Sequence, residues 1–175
     1  MYQERIGRVL AAMEQMGLEQ MIVSDPDSIW YLTGYYVFPF ERLFALYLRR
    51  DGKHKLFLNK LFPVPEVPYE QVWFSDTDDY LAILAENVDG TKPMGIDKEW
   101  PARFLLPLMA HNPGSRCVLA SACVDDARAC KDETERELMR AASRINDTVM
   151  ERAAAFMREG MMEREVADFI IAQYA

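Results

Sequence analysis

MIVSDPDSIWYLTG, residues 21–34, is the stretch on which the fold turns. Met21, Ile22 and Val23 form a short apolar run that reads as a strand. It stops at Ser24-Asp25-Pro26, where Asp25 is placed to cap a helix and Pro26 to take its first position. Ile29, Trp30 and Leu32 carry that helix to a finish at Gly34. Upstream, Ile6, Val9, Leu10, Met13 and Met16 recur at helical spacing before Gly17, so helix, strand and helix follow in order. Downstream, Leu43–Leu48 and Lys55–Leu58 flank Arg50-Asp51-Gly52-Lys53, and Asp-Gly between apolar runs predicts a hairpin.

Phe62 to Pro68 carries three prolines in seven positions and predicts an extended loop. Val72–Phe74 reads as a strand, and Asp76 to Asp79 supply caps and negative charge for a helix with Tyr80, Leu81, Ile83 and Leu84. Met94–Ile96 is a further strand. Phe104 to Met109 belongs to a helix in which Pro107 marks an end or a kink, and Arg116–Ala120 is the last strand. Six short strands with about four helices predict an α/β layer, and the hairpin makes its sheet mixed rather than purely parallel.

The character changes after Lys131. Asp132 and Glu135 have capping-box spacing, and Leu138, Ala142, Ile145, Val149, Ala153 and Phe156 follow helical periodicity towards Gly160, a helix of about 27 residues or some 40 Å. A second helix starts near Glu163, with Val166, Phe169 and Ile170 on one face, and runs to Ala175 with neither Gly nor Pro to stop it. Such amphipathic helices bury their stripes only under a cover. The expectation is a boundary near residue 131, with domain 1–131 followed by 132–175 as the truncated opening of a second domain.

Half of the 175 residues are apolar and 27% are charged, enough to build a core. Lys plus Arg total 20 against 28 for Asp plus Glu, a formal charge of −8 that argues against nucleic acid as a partner. No apolar run reaches the roughly 20 residues of a membrane helix, and the N-terminus lacks a signal-peptide layout. Cys117, Cys123 and Cys130 make an odd count without a Cys-x-x-Cys pair, which fits a reducing cytoplasm.

Catalytic groups are few. His54 and His111 lie outside any zinc spacing and read as exposed loop histidines. The cysteines read as buried structural thiols, and Asp78-Asp79 and Asp125-Asp126 as caps and solvated faces. What stands out is an aromatic cluster: Trp30, Tyr31, Tyr35, Tyr36, Phe38, Phe40 and Phe44 are seven of 20 aromatics within 15 positions. Trp30 and Phe44 suit the core, but one helix end and loop cannot bury all seven, so part of the cluster faces a cleft or a partner. Glu41 and Arg42 lie within it. Two readings of Arg42 stand open: a fork that grips a ligand carboxylate, or an arginine paired with a nearby acid.

The segment Ser24–Tyr35 resembles the start of the creatinase/prolidase/aminopeptidase P family of "pita-bread" metallopeptidases. Lys131–Ala142 with Ile145-Asn146-Asp147 resembles their linker and first catalytic-domain helix, Gly160–Ala167 the turn into the second helix, and Phe38–Arg42 is closest to the bacterial Xaa-Pro dipeptidase branch. The resemblance implies a non-catalytic N-terminal α/β domain, ribonuclease H-like, over residues 1–131, followed by two helices of an incomplete pita-bread domain. It implies a parent enzyme, cytoplasmic and homodimeric, that hydrolyses the bond before proline in dipeptides or short peptides with two divalent metal ions, manganese or cobalt. The metal ligands of that family, two aspartates, a histidine and two glutamates, match no position here, so neither catalytic nor metal-binding residues carry over and the chain alone is expected to be inert. In creatinase an aromatic and an arginine, six and eight residues after the matching glycine, reach the neighbouring subunit's substrate pocket. Counting from Gly34 gives Phe40 and Arg42 as substrate-gating residues. The competing expectation, a free-standing binding or dimerisation module, sits poorly with the open-ended last helix.

Overall fold

The computed structural model describes residues 2–64 and 69–174, which divide into two compact units between Ala129 and Cys130. In the first unit the elements run α1 (Tyr2–Gln15), β1 (Gln20–Val23), α2 (Pro26–Thr33), β2 (Ala45–Arg49), β3 (Lys55–Asn59), β4 (Glu70–Phe74), α3 (Tyr80–Asn87), β5 (Met94–Ile96), α4 (Ala102–His111), β6 (Cys117–Leu119) and α5 (Ala122–Ala129). The strands form one sheet in the order β4-β3-β2-β1-β5-β6. β2 is antiparallel to both β1 and β3, whereas β3–β4, β1–β5 and β5–β6 are parallel, so the sheet is mixed as expected.

Both faces of the sheet are covered, and the two-residue period of the strands decides which side chain goes where. Met21, Val23, Leu46, Leu48, Leu56 and Leu58 point to the face packed by Ile6, Val9, Ile29, Leu32 and Val124 of α1, α2 and α5. Ile22, Tyr47, Phe57 and Ile96 point the other way, onto Leu84, Phe104 and Leu108 of α3 and α4. This double burial explains why the strands read as continuous apolar runs rather than as alternating ones. The turn at Gly52 (φ 81°) closes the β2–β3 hairpin.

Several expectations need correction. The first unit has five helices rather than about four, since α5 occupies the stretch whose Asp125-Asp126 pair reads as a solvated face. Its buried residues, Cys123, Val124 and Ala127, are small and interleaved with charge, which hides the period. α4 runs through Pro107 to His111, so of the two readings of Pro107, an end or a kink, the end is ruled out. The helix bearing Trp30 projects it outward, 55% exposed, whereas Phe44 is buried as expected. Of the extended loop expected at Phe62–Pro68, residues 65–68 lie outside the described residues.

The second unit is a pair of helices, α6 (Glu133–Phe156) and α7 (Glu163–Tyr174). The capping box is present: Asp132 accepts the Glu135 amide while Glu135 accepts the Asp132 amide, each at 2.9 Å. α6 spans 24 residues and stops at Phe156, short of Gly160, which lies in the following turn with φ 86°. Phe156 and Phe169 stack with ring centroids 4.0 Å apart, and Tyr174 donates to Asn146 at 2.7 Å. Only Val149 and Ala153 of the expected α6 stripe are buried; Leu138 and Ile145 are exposed.

Candidate functional site

Gly34 ends α2 in a left-handed conformation (φ 82°), its amide bonded to the Trp30 carbonyl at 2.7 Å. An added Cβ there would lie 2.6 Å from the Tyr2 hydroxyl, so both backbone and space ask for glycine. From this cap the chain leaves the helix as a loop with two buried anchors, Val37 and Leu43. Between them the Arg42 amide closes a turn onto the Pro39 carbonyl at 2.9 Å. Phe40, at φ 53°, is the non-glycine residue with positive φ among those described. Its ring meets Phe38 edge-on at 4.8 Å, and Trp30 meets Tyr36 edge-on at 6.1 Å. All four rings are more than half exposed, Phe40 the most at 72%.

Arg42 turns back from the tip of this loop. Its Nε and Nη2 donate to Asp76 Oδ1 and Oδ2 at 3.0 and 2.8 Å, a bidentate fork. Asp76 lies two residues past the end of β4. The buried Asn59, at the end of β3, donates to its Oδ1 at 2.7 Å. The hydrogen bond from Arg42, joined by that from Asn59, holds the Asp76 carboxyl below its ordinary range, and Asp76 in turn raises the Arg42 guanidinium. On the other edge, Nη1 lies 3.3 Å from the exposed Glu41 carboxylate. Arg103 of α4 adds a tether, donating to the Glu41 carbonyl at 2.8 Å. The outcome is a loop tied at Glu41 and Arg42 that also exposes the Phe38 and Phe40 rings.

The structure shows Arg42 paired with acids, Asp76 and Glu41. Asp76, Asn59 and Arg103 were not legible as site residues. Asp76 reads as a helix cap, yet Asp79 caps α3, accepting the Ala82 amide at 3.0 Å. The signal that could find Asp76 is topological: parallel pairing sets Asn59 beside Phe74, and so places the two strand ends together.

The remaining chemistry is quiet. Burial pushes the Cys117 and Cys123 thiols up, away from nucleophilic thiolate. Cys130 is exposed rather than buried, because it falls between α5 and α6. His54 is half-buried rather than exposed: it accepts the Arg49 amide at 3.2 Å and sits edge-on to Tyr69. His111 is exposed at the end of α4.

Among the described residues no group of three or more His, Cys, Asp and Glu is placed to hold a metal ion. The buried acid Asp97 is engaged by the amides of Ser24, Asp25 and Glu99 and by the Ser24 hydroxyl. These residues do not fit a two-ion centre. Nor, among the described residues, is any helix long and apolar enough to cross a membrane.

Residues 5–130 match the creatinase/prolidase N-terminal domain. The chain belongs to that family. An uncharacterized peptidase of Staphylococcus aureus is 28% identical over 173 residues, matching 95% of this chain and 48% of its own length. A prolidase from Thermococcus sibiricus superposes with a TM-score of 0.88 at 26% identity, over 99% of this chain and 49% of that one. A dipeptidase from Mycobacterium ulcerans gives 0.83 at 27%, over 98% and 49%. The chain thus spans about half the length of these relatives. With its creatinase/prolidase N-terminal domain, it corresponds to the N-terminal part of a prolidase-like peptidase.

Proposed function

We propose that the chain serves as the non-catalytic N-terminal part of a metal-dependent Xaa-Pro dipeptidase, contributing substrate gating and homodimer contacts. In this reading the first domain extends to about residue 131, and 132–175 opens the catalytic domain. Two divalent ions, manganese or cobalt, act from ligands outside this chain. The prolidase from T. sibiricus and the dipeptidase from M. ulcerans support the substrate class. Three free cysteines fit a reducing cytoplasm. The observation that carries the gating role is that one loop holds both the exposed Phe38–Phe40 pair and Arg42, whose Nε–Nη2 edge is paired with Asp76. Apolar walls exclude long chains, and a cation at the rim attracts the C-terminal carboxylate of a dipeptide.

Kinetics of the full-length protein with an Xaa-Pro dipeptide test this. Arg42→Ala should raise KM roughly tenfold while lowering kcat far less, the pattern of lost ground-state binding. Phe40→Ala should improve the relative turnover of tripeptides. Unchanged kinetics in both variants remove the gating role, and metal-supplemented turnover by the 175-residue chain alone removes the non-catalytic one.

A further inference from the structure

An arginine on an exposed loop ordinarily samples many rotamers and loses that freedom when it binds an anion. In the structure Arg42 is instead paired in one geometry. Asp76 takes its Nε–Nη2 edge in a two-bond fork, and Asp76 is itself fixed by Asn59. Asn59 is 1% exposed and also accepts the Leu61 amide at 3.0 Å, so it cannot turn away without stranding a donor. The relay runs from the rigid ends of two parallel strands, through one carboxylate, to a guanidinium at the loop tip. It leaves the Nη1 side for a second anion, where the exposed Glu41 is the present occupant. Pairs this accessible contribute little to stability, so the fork acts chiefly on geometry.

We infer that Asp76, backed by Asn59, is a positioning residue: it aims Arg42, and with it the Phe40 turn, at the carboxylate of an incoming dipeptide. This rests on the gating role of Arg42 proposed above. Asp76 touches no substrate and acts through Arg42 alone.

The test is a double-mutant cycle in the full-length protein, with KM and kcat measured for an Xaa-Pro dipeptide. It is paired with the Arg42 Nε–H resonance and the unfolding midpoint of the 175-residue chain. Asp76→Ala should reproduce most of the roughly tenfold KM rise of Arg42→Ala and add nothing in the Arg42→Ala background, while the buried Asn59 amide it strands lowers the unfolding midpoint equally in both backgrounds. It should also release the Nε–H to fast solvent exchange, and Asp76→Glu should restore a large part of both signals. If Arg42→Ala raises KM while Asp76→Ala does not, or the two effects simply add, positioning is overturned and gating stands. An Nε–H unmoved by Asp76→Ala overturns it as well. If Arg42→Ala leaves KM unchanged, gating itself fails and the inference falls with it.

Discussion

His54 shows how one residue escapes a reading based on its neighbours. Flanked by Lys53 and Lys55 next to a hairpin turn, it has the surroundings of a solvated histidine, yet the turn folds its ring inward onto Tyr69. Burial lowers its pKa, only partly opposed by Asp51, and Nδ1 serves as acceptor for the Arg49 amide, a role that protonation of that nitrogen would end. The folded pKa therefore lies below the unfolded value of about 6.5, and the unfolded chain takes up the proton first. His54 contributes its full stability above that value and loses it as pH falls towards the folded pKa. Urea midpoints compared at pH 7.5 and 5.5 should fall more for the natural sequence than for His54→Gln, which keeps an acceptor but does not titrate. Equal falls in both would show that His54 is not linked to folding.

At the scale of elements, what was legible tracks what is local. Capping at Asp25 and Asp132, the Gly52 turn and the period of α1 all depend on residues within a few positions of each other, and each is found where the pattern puts it, except that Met16 lies past the end of α1 and is exposed. α5 and the exposure of Trp30 depend on what packs across the sheet, which no local period encodes. The same holds for the site: the aromatic loop stands out by composition, whereas Asp76 lies 34 positions from Arg42 and depends on strand pairing. Asp97 is a second long-range tie of this kind. From the end of β5 it accepts the Ser24 and Asp25 amides, at 2.9 Å for Asp25, and so joins the loop after β1 to the loop after β5, next to the N-terminus of α2. Asp97→Ala would strand three buried or part-buried amides, those of Ser24, Asp25 and Glu99, and the Ser24 hydroxyl, and should cost about 2–4 kcal/mol, measured by urea unfolding. Asp97→Asn should recover part of this through its carbonyl oxygen. A loss no larger than that of an exposed Asp→Ala control would mean that the β1–α2 junction holds without it.

Taken as a whole molecule, the chain puts two very different stabilities on one backbone. The first unit buries both faces of its sheet, and β1 is fully buried along its length. Among the described residues, the second is held by the Phe156–Phe169 stack, the exposed Tyr174–Asn146 and Arg152–Gln173 hydrogen bonds and two buried α6 residues, and no residue of α7 is buried. A helical hairpin with so little covered surface falls well below the size at which a core sustains itself. Local opening should therefore be cheap in α6 and α7 and nearly as costly as global unfolding in the central strands. Amide hydrogen exchange on the 175-residue chain should show the slowest protons in β1 and β2 and the fastest helical ones in α7. The exposed Leu138, Met139, Ile145 and Ile171 have a use if further sequence covers them, as the proposed dipeptidase requires. In the full-length protein the same α7 amides should then slow by orders of magnitude while those of β1 and β2 change little. If α7 were already as protected as β2 in the short chain, its apolar surface would be covered there, and the requirement for downstream sequence would be gone.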